Sequence, residues 1–82
     1  MKKLDQNSIY QTSDLPLATV ISLSFSIKSV DRENPRKAQF IFERNSKLDA
    51  LIEDYWNGNL KVEPQQFFNQ LRIVKARLYG EN

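Results

Sequence analysis

Two short runs in which apolar and polar residues alternate, separated by a polar turn, place the strongest constraint on what this chain can fold into. Leu23, Phe25 and Ile27 alternate with Ser24, Ser26 and Lys28, and Ala38, Phe40 and Phe42 alternate with Gln39, Ile41 and Glu43. A period of two sends successive side chains to opposite faces, so each run reads as a half-buried strand. Ser29-Val30 slips the phase, as a bulge or a strand end. Asp31-Arg32-Glu33-Asn34-Pro35-Arg36 has the chemistry of a turn. The pattern predicts an antiparallel hairpin with Phe25, Ile27, Phe40 and Phe42 facing inward. An isolated hairpin is only marginally stable in water. Its aromatic face must be covered, and helices are the covers available.

Three helices are readable. Thr12-Ser13-Asp14 is an N-cap signal, Pro16 is tolerated in the first turn, and Leu17, Val20 and Ile21 recur at helical spacing, predicting a helix near 14–23. Asn45-Ser46 caps a second helix with the stripe Leu48, Leu51, Ile52 and Tyr55, stopped by Asn57-Gly58. Leu60 and Val62 flank Lys61 as a short third strand or an extended link. Pro64 suits the first position of a third helix, on which Phe67, Leu71, Val74 and Leu78 share a side and which Gly80 ends. Residues 1–9 show no period and read as a loose arm ahead of a single α+β domain over 10–80. The expected order is helix, hairpin, helix, short link, helix: one small layer of sheet covered by helices.

Composition narrows the chemistry. At 82 residues the chain has room for one core, and its nine aromatic residues help to build it. There is no cysteine and no histidine, which removes disulfides, thiolate metal sites, the commonest zinc ligand and the commonest general base. The two glycines sit at predicted helix ends, leaving none for a phosphate-binding loop. Catalytic, metal and cofactor sites are therefore not expected. No apolar run approaches the ~20 residues that span a bilayer. Leu4-Asp5-Gln6-Asn7-Ser8 is polar where a signal peptide is apolar, so a cytoplasmic location without membrane contact is expected.

Several strings then stand together: Tyr10-Gln11-Thr12-Ser13-Asp14-Leu15, Asp31-Arg32-Glu33-Asn34-Pro35-Arg36, Phe40-Ile41-Phe42-Glu43 and Ile52-Glu53-Asp54-Tyr55-Trp56-Asn57-Gly58. In this order and spacing they resemble a family of small bacterial and phage proteins known as a domain of unknown function, number 5659, over roughly residues 10–79. The resemblance implies a compact domain found in bacterial chromosomes and mobile elements, with no catalytic residues. Its motifs are caps, turn residues and core aromatics, which mark a fold rather than an activity.

Candidate contact residues come from charge and aromatic placement. Net charge is only +2, but residues 28–47 carry Lys28, Arg32, Arg36, Lys37, Arg44 and Lys47 against Asp31, Glu33 and Glu43. Residues 48–63 reverse this, with Lys61 against Asp49, Glu53, Asp54 and Glu63. Arg32, Arg36 and Lys37 at the hairpin tip can straddle a phosphate backbone or clasp an acidic loop, or simply be a solvated turn. Trp56, about 100° off its helix's stripe, is a partner anchor or a ring packed over the hairpin or Leu60. Arg72, Lys75 and Arg77 lie off the core face of the third helix. Phe68 and Tyr79 stand beside Lys75, as stacking platforms or as seals of the core. Asp49 and Glu53 share a helix side but lack a third carboxylate for a Mg²⁺ site. The expectation is a non-catalytic module that binds another protein or itself, as adaptor, homo-oligomer, homodimer or phage-type inhibitor. The alternative is a nucleic-acid-associated domain.

Overall fold

In the computed structural model, which describes residues 8–34 and 36–80, the chain is an α+β fold of three helices and one antiparallel sheet. The elements run β1 (Ile9–Thr12), α1 (Leu15–Ser22), β2 (Ser29–Asp31), β3 (Gln39–Glu43), α2 (Ser46–Trp56) and α3 (Pro64–Tyr79). The strand order is β1-β3-β2, and both outer strands are antiparallel to β3. β1 and β2 therefore point the same way, joined through α1 around an inserted central strand.

Register explains the core. Tyr10 pairs with Phe42, and Thr12 and Val30 both pair with Phe40. Directly opposed residues share a face, so Tyr10, Thr12, Val30, Phe40 and Phe42 all project to one side. Phe40 and Phe42 are fully buried there, with Leu17, Ala18 and Ile21 of α1, Leu48 of α2 and Val74 of α3. The opposite face carries Gln11, Ser29, Gln39 and Glu43 around Ile41.

Local chemistry sets the helix ends. Asp14 Oδ1 accepts from Leu17 N at 2.9 Å, Asn45 Oδ1 from Leu48 N at 2.8 Å and Glu63 Oε1 from Gln66 N at 2.8 Å. Each satisfies an otherwise unpaired N–H of a first turn. α2 stops in a Schellman motif: Gly58 N donates to Tyr55 O and Asn59 N to Asp54 O, with Gly58 at φ 75°. At Gly80 a Cβ would stand 2.6 Å from Ala76 O, so only glycine ends α3 in this way.

Two strands differ from the expected hairpin. The first hairpin strand is not Leu23–Lys28 but Ser29–Asp31. The N–H groups of Leu23, Ser24 and Phe25 donate to Val20 O and Ile21 O at the end of α1, so they cannot enter a ladder. In the β2·β3 register Ile27 would oppose Glu43, the last residue of β3, and Phe25 would oppose Asn45, which lies past the strand and caps α2. Pairing begins only at Lys28 N, which donates to Ile41 O at 2.7 Å. Phe25 and Ile27 still pack on the core, from an unpaired stretch. The other difference is β1, absent from the expected order. The arm expected over 1–9 lies outside the described residues except for Ser8 and Ile9, and Ile9 already pairs with Glu43. Leu60–Val62 forms the extended link rather than a strand. Among the described residues, no helix is long and apolar enough to cross a membrane.

This layout separates core from surface rings. Phe42→Ala should cost about 3–5 kcal/mol in urea unfolding, the range for emptying a buried aromatic site. Phe68→Ala, at a ring 58% exposed, should change stability by about 0.5 kcal/mol or less.

Candidate functional site

The expected contact residues divide into four places. At the end of α3, Arg32 turns back from the loop after β2 and donates to two successive carbonyls. Its Nη2 lies 2.6 Å from Arg77 O and 3.2 Å from Leu78 O, and its Nε lies 3.4 Å from Leu78 O. The last carbonyls of a helix lack intrahelical donors and form its negative end. A planar guanidinium can reach two at once. Arg32 is therefore a fastener between the loop and α3 rather than a free tip residue. Arg77 reaches the other way, with Nη2 3.5 Å from Ile27 O. It does not share a side with Arg72 and Lys75.

Arg36 and Lys37 occupy the loop tip. Asn34 shapes it, Oδ1 accepting from Arg36 N at 3.0 Å and its carbonyl from Lys37 N at 3.0 Å. Arg36 lines a shallow hollow of about 560 Å³ with Arg32, Asn34, Ala38, Leu78 and Tyr79. The tip thus sits against the end of α3, and Tyr79 borders both.

The outer side of α3 is the third place. At about 100° per residue, Phe68, Arg72, Lys75 and Tyr79 fall within one quadrant of the helix, away from Phe67, Leu71, Val74 and Leu78. Phe68 is 58% and Tyr79 78% exposed, so neither seals the core. Phe67 takes the inward position, and Phe68 meets only its edge, with ring centroids 5.5 Å apart and planes at 79°. Arg72 Nη1 donates to Asn69 Oδ1 at 3.2 Å on the same helix. No carboxylate occurs between Pro64 and Tyr79. The stripe sets two cations, Arg72 and Lys75, between two rings, Phe68 and Tyr79.

Trp56, the last residue of α2, is the fourth. It is 62% exposed and leans edge-on against Tyr55 with centroids 5.0 Å apart, rather than packing over the hairpin. Asp49 and Glu53 share its side of the helix. Arg44 Nε holds Asp49 Oδ1 at 3.0 Å, with both side chains nearly half exposed, a geometry of small energetic weight. In the shallow groove beside them, burial and then the nearby Asp14 carboxylate raise the Tyr10 hydroxyl above its ordinary pKa. Burial and Asp14 raise Tyr55 as well.

Another hollow, of about 590 Å³, opens between α1, the 60–63 link and α3, with Lys61, Glu63, Gln66 and Gln70 on its rim. Two of these groups already have partners: Glu63 caps α3, and Gln70 Nε2 donates to Ser22 Oγ at 3.0 Å. Among the described residues no group of three His, Cys, Asp or Glu could hold a metal. Ring exposure is the feature that sequence reading left open, between seals of the core and free platforms, and Trp56, Phe68 and Tyr79 are all exposed. Its signal was available: four residues of α3 already complete the inward stripe, which leaves Phe68 outside.

The Arg32 fastening is testable. Arg32→Lys keeps the charge but loses the fork, and should lower stability by about 1 kcal/mol, the scale of a net hydrogen-bond loss. Amide exchange of Leu78, Tyr79 and Gly80 should speed up with it. Unchanged exchange there would show that the guanidinium holds nothing.

No curated protein matches the chain, and no solved structure does. The family model described as Domain of unknown function (DUF5659) matches residues 7–80. It takes in every strand and helix described above, and the chain belongs to that family.

Proposed function

We propose that this protein, of bacterial or phage origin, is a non-catalytic binding module that acts through protein–protein contact in the bacterial cytoplasm, with the outer side of α3 as its principal surface. The observation that carries this reading is the exposure of Phe68 and Tyr79 in one stripe with Arg72 and Lys75. Apolar rings left in water gain nothing for the isolated fold, since the favourable term is burial. Aromatic residues and arginine are the types that dominate binding energy at protein interfaces. Cations between the rings suit a partner surface bearing carboxylates.

A nucleic-acid reading draws on the same stripe, because α3 has no carboxylate and its end meets Arg36 across Tyr79. It is supported less well. Arg32 is fastened to α3 and Arg77 faces Ile27, leaving Arg36, Lys37, Arg72 and Lys75 for phosphates. Arg77 lies on the side of α3 away from Arg72 and Lys75, which divides the expected cations.

Capture from a bacterial lysate with the full chain as bait, beside a bait carrying Phe68→Ala and Tyr79→Ala, separates the readings. A protein partner should lose about tenfold or more in affinity with the double variant, as for interface hot spots. Binding of a labelled single-stranded oligonucleotide should be weak and change little across a salt series. A steep fall with salt, with no protein captured, would replace protein contact by phosphate contact.

A further inference from the structure

The exposed sides of α2 and α3 carry opposite charge in frames of equal length. Asp49, Glu53 and Trp56 stand at i, i+4 and i+7 along α2, all exposed. Phe68, Arg72 and Lys75 stand at i, i+4 and i+7 along α3, also exposed. Each frame therefore rises about 10 Å along its helix. Each also ends in a ring, Trp56 at the C-terminal end of one and Phe68 at the N-terminal end of the other.

Among the described residues the ion pair present is Arg44–Asp49, so Glu53, Arg72 and Lys75 have no opposite charge in contact there. Asp49 is held through Oδ1, which leaves Oδ2 for a second cation. Laid antiparallel, the frames bring Trp56 onto Phe68, Glu53 onto Arg72 and Asp49 onto Lys75. A parallel arrangement would match only Glu53 with Arg72, setting Asp49 against Phe68 and Trp56 against Lys75, and would align the two helix dipoles; the antiparallel one matches all three pairs and opposes the dipoles, which is favourable.

We infer that the occupant of the α3 stripe is a second copy of this chain, which presents its Asp49/Glu53/Trp56 side antiparallel to Phe68/Arg72/Lys75. This rests on the stripe being a protein-binding surface and names its partner. The contact is heterologous, using different patches on the two copies. Association therefore closes into a ring or continues, according to how the two sides are angled.

Light scattering on the full chain over a concentration series tests this. The expected result is a mass rising from 9.6 kDa to at least twice that, and falling back as salt is raised. Glu53→Arg alone and Arg72→Glu alone should each weaken association about tenfold or more. The chain carrying both exchanges should recover it, because the pair is re-formed with its charges reversed. Both substitutions lie on exposed positions, and circular dichroism checks that the fold is kept in all three variants. A mass of 9.6 kDa at every concentration would overturn the inference, as would association indifferent to both single exchanges. A monomer that still captures a foreign protein through Phe68 and Tyr79 would overturn self-docking while leaving the protein-contact reading in place. A monomer that captures none would remove both.

Discussion

From Leu17 to Ile21, the helix Leu15–Ser22 has no side left for water. Leu17, Ala18, Thr19, Val20 and Ile21 are all buried, and a helix apolar all round needs cover in every direction. Eight residues are also too few to hold a helix in isolation. α1 therefore exists only because β1, α2 and α3 pack around it, while Phe40 and Phe42 of the sheet join the same core cluster. Its few polar groups are resolved locally: Thr19 Oγ1 donates to Leu15 O and Ser22 Oγ to Thr19 O. Gln70 then donates to Ser22 Oγ and links α3 to the end of α1. Removing any one layer would strip α1 of part of its cover, so the layers should be lost together.

That dependence explains which parts of the fold were legible in the sequence. Helix ends were, because caps act within a few residues: Asp14, Asn45, Gly58 and Pro64 each stand at the terminus their chemistry favours. β3 was legible because Phe40 and Phe42 alternate over a stretch that also pairs on both sides. The run from Leu23 to Lys28 misled for a physical reason. Its period showed correctly that Phe25 and Ile27 turn inward. A period says nothing about whether the backbone has a ladder partner, and here the N–H groups of Leu23, Ser24 and Phe25 had already been taken by α1. β1 left no local signal, since its pairing partner lies beyond α1 and β2 in the chain.

The contact surface was legible in its residue types and obscured in its placement. Arg32, Arg36 and Lys37 looked equivalent in a charged turn. Yet the loop carries Arg32 to the open carbonyls of α3, a long-range contact that no local pattern announces. Trp56, Phe68 and Tyr79 invited the argument that a small domain needs every ring for its core. α1 supplies so much of that core that α3 needs only one inward stripe, so the next residue round the helix, Phe68, is left outside.

What remains is a segregation of charge that the fold itself does not require. A surface serving solubility alone interleaves both signs, and helices that stabilise themselves place opposite charges four residues apart. α2 instead sets Asp49 and Glu53 together, and α3 sets Arg72 and Lys75 together without a carboxylate on the whole helix. Like charges three or four residues apart repel, which costs each helix a few tenths of a kcal/mol. Exposed Phe68, Tyr79 and Trp56 add apolar area that only contact can bury. Both features are mildly unfavourable in the isolated molecule, and both become favourable against a surface of opposite sign with a ring at the same spacing from its charges. The α2 side has that chemistry. Burial of α1 thus accounts for the molecule's interior, and complementarity between two helices that each pack on α1 accounts best for its surface.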